Sequence, residues 1–273
     1  MHIAIDDTYG PLAHGTSRYV TGRRRTQVGV LFEDNQVDYI REQMRGCLSL
    51  IQESTGEKPD EFHFVEIYNR KGPWARTKEG LNLQLFEAFA DIYRSYRWLV
   101  LVQTVDKRTL RDLKGFDRAD LGRLLVLEGL SPNDFSHLAL GLLCLRIRIR
   151  FKSTNEPLTL LLDEGLGKAG QPFGAKLFKN YTSIVEGRFA SSKSEELLQI
   201  ADFLAFCINR NTHLALKDER TEIDLWFLEL FASMRINSPD LSPFIAKPNF
   251  SANDLDEFHR LNRALRGIDD QSA

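Results

Sequence analysis

The sequence is poor in cysteine, in net charge and in long apolar runs, and each shortage excludes something. Its three cysteines, Cys47, Cys144 and Cys207, stand far apart in 273 residues and form no CxxC pair. Neither a disulfide framework nor a thiolate zinc site is therefore expected, and no His/Cys cluster has zinc spacing. Isolated thiols fit a reduced cytosol. The formal net charge is −2, so any attraction to nucleic acid has to come from local patches. No apolar run approaches the roughly 20 residues that span a bilayer. Met1–Asp6 lacks the basic and long apolar regions of a signal peptide. A cytoplasmic protein without membrane contact is the expectation. There is no GxGxxG and no P-loop, so nucleotide-cofactor chemistry has no support. Asp163-Glu164-Gly165 lacks the later acids of an EF-hand, so calcium is not expected.

What is present is apolar and periodic. Hydrophobic residues make up 42% of the chain, enough for a sizeable core. The run Leu158–Asp163 has no polar alternation and reads as a strand buried on both faces. It delivers Asp163 and Glu164 to its carboxyl end, the edge where open α/β sheets place their ligands. Strands are also expected at 2–7, 27–32, 62–68 and 98–105, with one more at 183–189. Helices are expected at 35–53, 78–97, 195–209, 219–236 and 251–266. Residues 106–130 read as helical pieces. Ser131-Pro132-Asn133-Asp134 reads as a helix start capped by Ser131, and Ser192-Lys193-Ser194-Glu195 as a capping box. Strands alternating with helices predict an α/β fold whose first hairpin makes the sheet mixed. The strand ending in Asp163 should lie beside the one ending in Asp6.

Three residue groups carry a family resemblance. They are Ile5-Asp6-Asp7 on an early strand, Asp163-Glu164 on a central one, and Gln199-Ile200-Ala201-Asp202, which follows Ser191 within an apolar helix. Together they resemble the bacterial family called domain of unknown function 3800. That family has an N-terminal Asp-Glu followed by a small residue and Gly, and a C-terminal Gln-x-x-Asp. Here Asp7 stands where the family has Glu, and Thr8-Tyr9 lengthens the step to Gly10. The resemblance covers about residues 1–210. It implies a ribonuclease H-like fold, a mixed sheet flanked by helices with carboxylates on two central strands and a late helix to bind divalent metal. Residues 1–212 would form that domain and 213–273 a helical C-terminal extension packed on it.

The chemistry of the residues runs the same way. Two-metal phosphodiester hydrolysis needs hard oxygen ligands on rigid elements, holding ions roughly 4 Å apart. Mg2+ or Mn2+ fits oxygen donors, and Mg2+ keeps several waters, so few carboxylates suffice. Asp6, Asp163 and Asp202 are the candidate metal ligands and catalytic residues, with Asp7, Glu164 and Gln199 supporting. Gln199 lies three residues before Asp202 on one helix face and makes a polar stripe with Glu195. The alternative is that Asp202 is half-exposed and simply solvated. Glu66, on the strand 62–68, is either a fourth ligand or a partner of Arg70 or Lys71. His63 is either a satisfied strand histidine or a general base. Arg23-Arg24-Arg25 is a local basic cluster. Arg146, Arg148, Arg150 and Lys152 follow a phosphate backbone if extended, or spread around the last turns of a helix. The function expected is a metal-dependent nuclease acting on nucleic acid. The alternative is a non-catalytic binding or regulatory protein on the same fold.

Overall fold

The structure, a computed structural model, describes residues 1–10, 17–20, 24–112, 118–152, 156–179, 185–241, 247 and 249–268. Arg23, Ser183 and Ile184 lie outside the described residues. Six strands form one sheet: β1 (His2–Tyr9), β2 (Arg25–Phe32), β3 (Val100–Val105), β4 (Leu158–Asp163), β5 (Pro172–Phe173) and β6 (Val185–Ala190). Their order is β3-β2-β1-β4-β6-β5. β1 and β3 are antiparallel to β2. β4 runs parallel to β1, and β6 parallel to β4. This is a mixed α/β sheet, with the strand that carries Asp6 and Asp7 beside the one that ends in Asp163; the first strand does not end at Asp7 as expected but runs on to Tyr9.

Alternation along the strands divides the core in two. Ile3, Ile5, Leu160 and Leu162 point to a layer built on α6 (Phe135–Arg150), with Leu121 and Leu125 of α5 (Arg118–Leu127). Ala4, Val28, Val30 and Leu161 point to the opposite layer, built on α7 (Glu196–Ala215). The unbroken apolar run of β4 is explained by this double burial. Each buried leucine there contributes roughly 1.5–3 kcal/mol.

Around α7 the second layer holds α1 (Asp34–Thr55), α2 (Phe64–Asn69), α3 (Leu81–Tyr96) and α8 (Glu222–Met234). Phe64, Phe86, Phe89 and Phe203 make an aromatic cluster with edge-to-face pairs. Two arginines of α1 grip the start of α7, Arg41 on Glu195 and Arg45 on Glu196. Beyond residue 212, α7 continues to Ala215, and Phe227, Leu228 and Phe231 of α8 enter the same apolar cluster. α9 (Ala252–Leu265) starts with a capping box between Ser251 and Asp254 and adds Leu255. The short helix α4 (Lys107–Asp112) follows β3 directly.

Three local expectations are corrected. Residues 62–68 are not a strand; Phe64–Asn69 is α2. Phe64, Ile67 and Tyr68 fit helical spacing as well as strand alternation, and Asp202 accepts the Phe64 N–H that opens the helix. The N-cap of α6 is Asp134, which accepts from the N–H groups of Ser136 and His137, so Ser131 lies before the helix start. The N-cap of α7 is Glu195, with no side-chain capping bond. The Ser192 hydroxyl goes to Glu61 instead. The strip at 146–150 is helical, and Arg146 pairs with Asp240.

A candidate carboxylate centre at the edge of the sheet

β1 and β4 run the same way with Ile5 opposite Leu162. The next residue on each strand is an acid, so Asp6 and Asp163 stand side by side; Asp163 ends β4, while β1 runs on past Asp6 to Tyr9. Ala4 and Leu161 belong to the α7 layer, so Asp6 and Asp163, two residues further on, face α7 as well. α7 packs across β1 and β2 and brings Asp202 to that side. All three acids are half-buried. Among the described residues, no Lys or Arg forms a salt bridge with any of them.

Carboxylates held this way oppose one another's ionisation. Burial, then Asp202, Asp163 and Asp7, push Asp6 well above the usual carboxylate range. Burial also raises Asp163, with Glu164, Asp7 and Glu61 adding and the Gly165 N–H opposing. Asp202 is pushed up to about 6, chiefly by burial, against the pull of His63 and the Phe64 N–H. Asp163 and Glu61 add to the rise. In kind, the donors suit a hard divalent cation: charged oxygens, on rigid elements, with no Lys or Arg competing for them. In spacing they are looser. Among the described residues, no group of three or more His, Cys, Asp or Glu is arranged to hold a metal ion.

The supporting residues divide. Asp7 lies on the other face, where it accepts from the Ser136 hydroxyl at 2.8 Å, and Gln27 donates to that same hydroxyl at 3.1 Å. Glu164 accepts from Ser191 at 2.8 Å and ties the turn after β4 to the one after β6. Gln199 does not face the acids. It is 2% exposed, accepts the Phe62 N–H at 3.2 Å and donates to the Ser192 carbonyl at 2.7 Å. The stripe Glu195, Gln199, Asp202 thus serves separate partners: Arg41 and Arg188 for Glu195, two backbone groups for Gln199, and the Phe64 N–H and His63 for Asp202. Glu66 is on α2, not on a strand, and its carboxylate lies against Gly72, where an added Cβ would come within 3.0 Å of Oε2.

Two further residues stand at the centre. Glu61 is the glutamate that acts on Asp163 and Asp202, and the Ser192 hydroxyl holds it. The sequence offered only a weak signal for it, an acid at the end of an irregular break. His63 sets Nδ1 3.7 Å from Asp202 Oδ2, with its side chain 44% exposed. That gives the general-base alternative for His63 a position beside the acids.

No family model and no curated protein matches the chain. Among solved structures, the ribonuclease H2 from Pyrococcus horikoshii OT3 is similar over 95% of this chain and 98% of its own, at 10% identity and a TM-score of 0.35. A likeness that slight carries nothing about activity. The mixed sheet flanked by helices is the architecture expected, with Asp6 and Asp163 on two adjacent strands of it and Asp202 on α7.

Proposed function

We propose that the chain is a divalent-metal-dependent nuclease of the domain of unknown function 3800 family, hydrolysing phosphodiester bonds of a nucleic acid. One observation carries this reading. Asp6 and Asp163, on adjacent strands, face the helix that carries Asp202, and among the described residues no Lys or Arg forms a salt bridge with any of the three. Half-buried acids without cationic partners are unfavourable for the fold alone and favourable for holding cations.

Asp6, Asp163 and Asp202 would hold Mg2+ or Mn2+, with Glu61 rather than Glu66 as the further acid. Bound there, such ions supply an activated water and stabilise charge on the phosphoryl oxygens. The chain's own residues do the rest. β1 and β4 fix two carboxylates in register. Asp202 closes the site from α7 while fixing the start of α2. Gln199 and Ser192 hold the segment that presents Glu61 and His63. His63, exposed and beside Asp202, is placed to take or give a proton at the substrate's side.

The spacing of the acids favours a second reading, a non-catalytic binding protein on the same fold, since no three of them form a ready ligand group among the described residues. An assay separates the two. Purified protein is given single- and double-stranded DNA and RNA with Mg2+ or Mn2+. Asp163→Asn should lower cleavage by more than about 100-fold, beyond what loss of an outer-sphere partner gives. Binding without any metal-dependent cleavage selects the second reading.

A further inference from the structure

A nucleic-acid strand carries a negative charge at every phosphate. Around Asp6, Asp163 and Asp202 stand further acids. Glu61 acts on Asp163 and Asp202, Asp7 acts on Asp6 and Asp163, and Glu164 follows Asp163 directly. Cations held by the aspartates would answer for the phosphate that is cut. They leave the phosphates on either side of it facing the same acidic surround. A strand bound here needs a basic side chain close to the acids but not on them.

Lys193 is in that position. β6 runs parallel to β4 with Ala190 opposite Asp163, about 5 Å away at ordinary strand spacing. Ala190 belongs to the α7 layer, the side that Asp163 faces. β6 ends there, and residues 191–195 lead into α7, which carries Asp202. The Ser191 carbonyl accepts the N–H groups of Ser194 and Glu195, both at 3.0 Å, so the chain turns at once instead of running on past the acids. The Ser191 hydroxyl ties the turn to Glu164 at 2.8 Å. The next two side chains make rungs to the segment before α2. Ser192 holds Glu61, and Lys193 Nζ donates to Asp60 Oδ2 at 3.3 Å. The ammonium is thus held one rung from the glutamate that acts on Asp163 and Asp202.

The ion pair with Asp60 does not account for the lysine. The two side chains are 58% and 69% exposed, and a pair in that much water adds little to the fold. The turn is already fixed by the bonds of Ser191 and Ser192. An ammonium has three donors, and Asp60 takes one. We propose that Lys193 contacts a backbone phosphate of the substrate flanking the bond cut at Asp6 and Asp163, so that the bound strand passes from the acids over the turn between β6 and α7. This rests on the nuclease reading for the identity of the ligand.

The test is binding of labelled single-stranded DNA and RNA oligonucleotides to the full chain, by fluorescence anisotropy over a range of salt. Asp163→Asn with Mg2+ serves as background, so that substrate persists. Lys193→Gln should weaken binding about fivefold at 0.1 M salt and lower the salt slope by about 0.7, the share of one phosphate contact on a single strand. Lys193→Arg should restore both. Asp60→Asn breaks the same ion pair but keeps the cation, and should bind no more weakly than its parent. Circular dichroism confirms that each variant is folded. The proposal is overturned if Lys193→Gln keeps the parent affinity and slope, or if Asp60→Asn weakens binding as much as Lys193→Gln does. Either result counts whether or not the wild type cleaves. If binding depends on Lys193 but the wild type cleaves nothing with Mg2+ or Mn2+, the phosphate contact stands and the nuclease reading falls. If no oligonucleotide binds, both are overturned.

Discussion

Phe64 donates its backbone N–H to the Asp202 carboxylate at 2.9 Å, so one acid both closes the candidate centre and opens α2. The two duties differ in what they ask of the side chain. An acceptor for Phe64 needs an oxygen but no charge. Asp202→Asn keeps that oxygen and removes one member of a repelling group.

The pH dependence of stability follows from the same carboxylate. Its pKa is raised from 3.8 to about 6 in the folded protein. The folded state therefore holds the proton longer than the unfolded chain does. Stability falls as pH rises through that window, and the full penalty is present above it. Asp202→Asn should stabilise the apo protein at pH 7 by on the order of 3 kcal/mol. The gain should vanish below the unfolded value. Urea melts of wild type and variant from pH 3.5 to 8 measure this. A variant equally stable at every pH contradicts the electrostatic account.

Divalent metal should reverse that penalty. Mg2+ or Mn2+ binding to the folded state raises stability by about 2.7 kcal/mol at a hundredfold excess over Kd. Thermal melts should shift upward with Mn2+ in the wild type and shift less in Asp6→Asn and Asp163→Asn, although both variants start more stable without metal. An equal metal-induced shift in all three proteins removes these aspartates from the ligand set.

Gln199 tests the frame behind the site. Its amide satisfies the Phe62 N–H and the Ser192 carbonyl, at 3.2 and 2.7 Å, away from water. Gln199→Ala leaves two buried backbone groups without partners and should destabilise by about 2–4 kcal/mol. A surface-like loss below about 0.5 kcal/mol in chemical denaturation contradicts this packing role.

The parts of the site that rest on local pattern were legible in the sequence. An apolar run followed by an acid reads the same in either context, so pattern sets Asp6 and Asp163 on strands, and the pairing of β1 with β4 makes those strands neighbours. Asp202 interrupts an apolar helix and stands out for that reason. Residues 62–68 were not legible, because Phe62, Phe64, Val65, Ile67 and Tyr68 satisfy strand alternation and helical spacing together. What selects the helix is a contact from Asp202, far away in sequence. Ser192 matches a capping box, yet its hydroxyl reaches Glu61 across the fold. Arg108 sits in a charged stretch that reads as helical pieces, and nothing in that pattern marks it for burial. Its burial, with the Tyr19 ring packed on the guanidinium, appears in the structure.

Glu61 and Glu66 provide the sharpest contrast for catalysis. Both are glutamates of one segment, and the resemblance to a carboxylate nuclease leaves room for a fourth acid. Glu61 raises the pKa of Asp163 and Asp202 and is held by the Ser192 hydroxyl. Glu66 lies against Gly72 on α2. Glu61→Gln keeps an acceptor for Ser192 and removes only charge. It should lower metal-dependent cleavage by about 10–100-fold, the range seen when an outer partner of a metal site is lost. Glu66→Gln should leave kcat and KM within about twofold, as an uninvolved surface change does. Ser192→Ala should follow Glu61→Gln in direction with a smaller loss, because it frees the carboxylate without neutralising it. Steady-state kinetics on one oligonucleotide, with melting temperature measured for each variant, decide the matter. A large loss in Glu66→Gln together with full activity in Glu61→Gln would move the fourth acid back to α2.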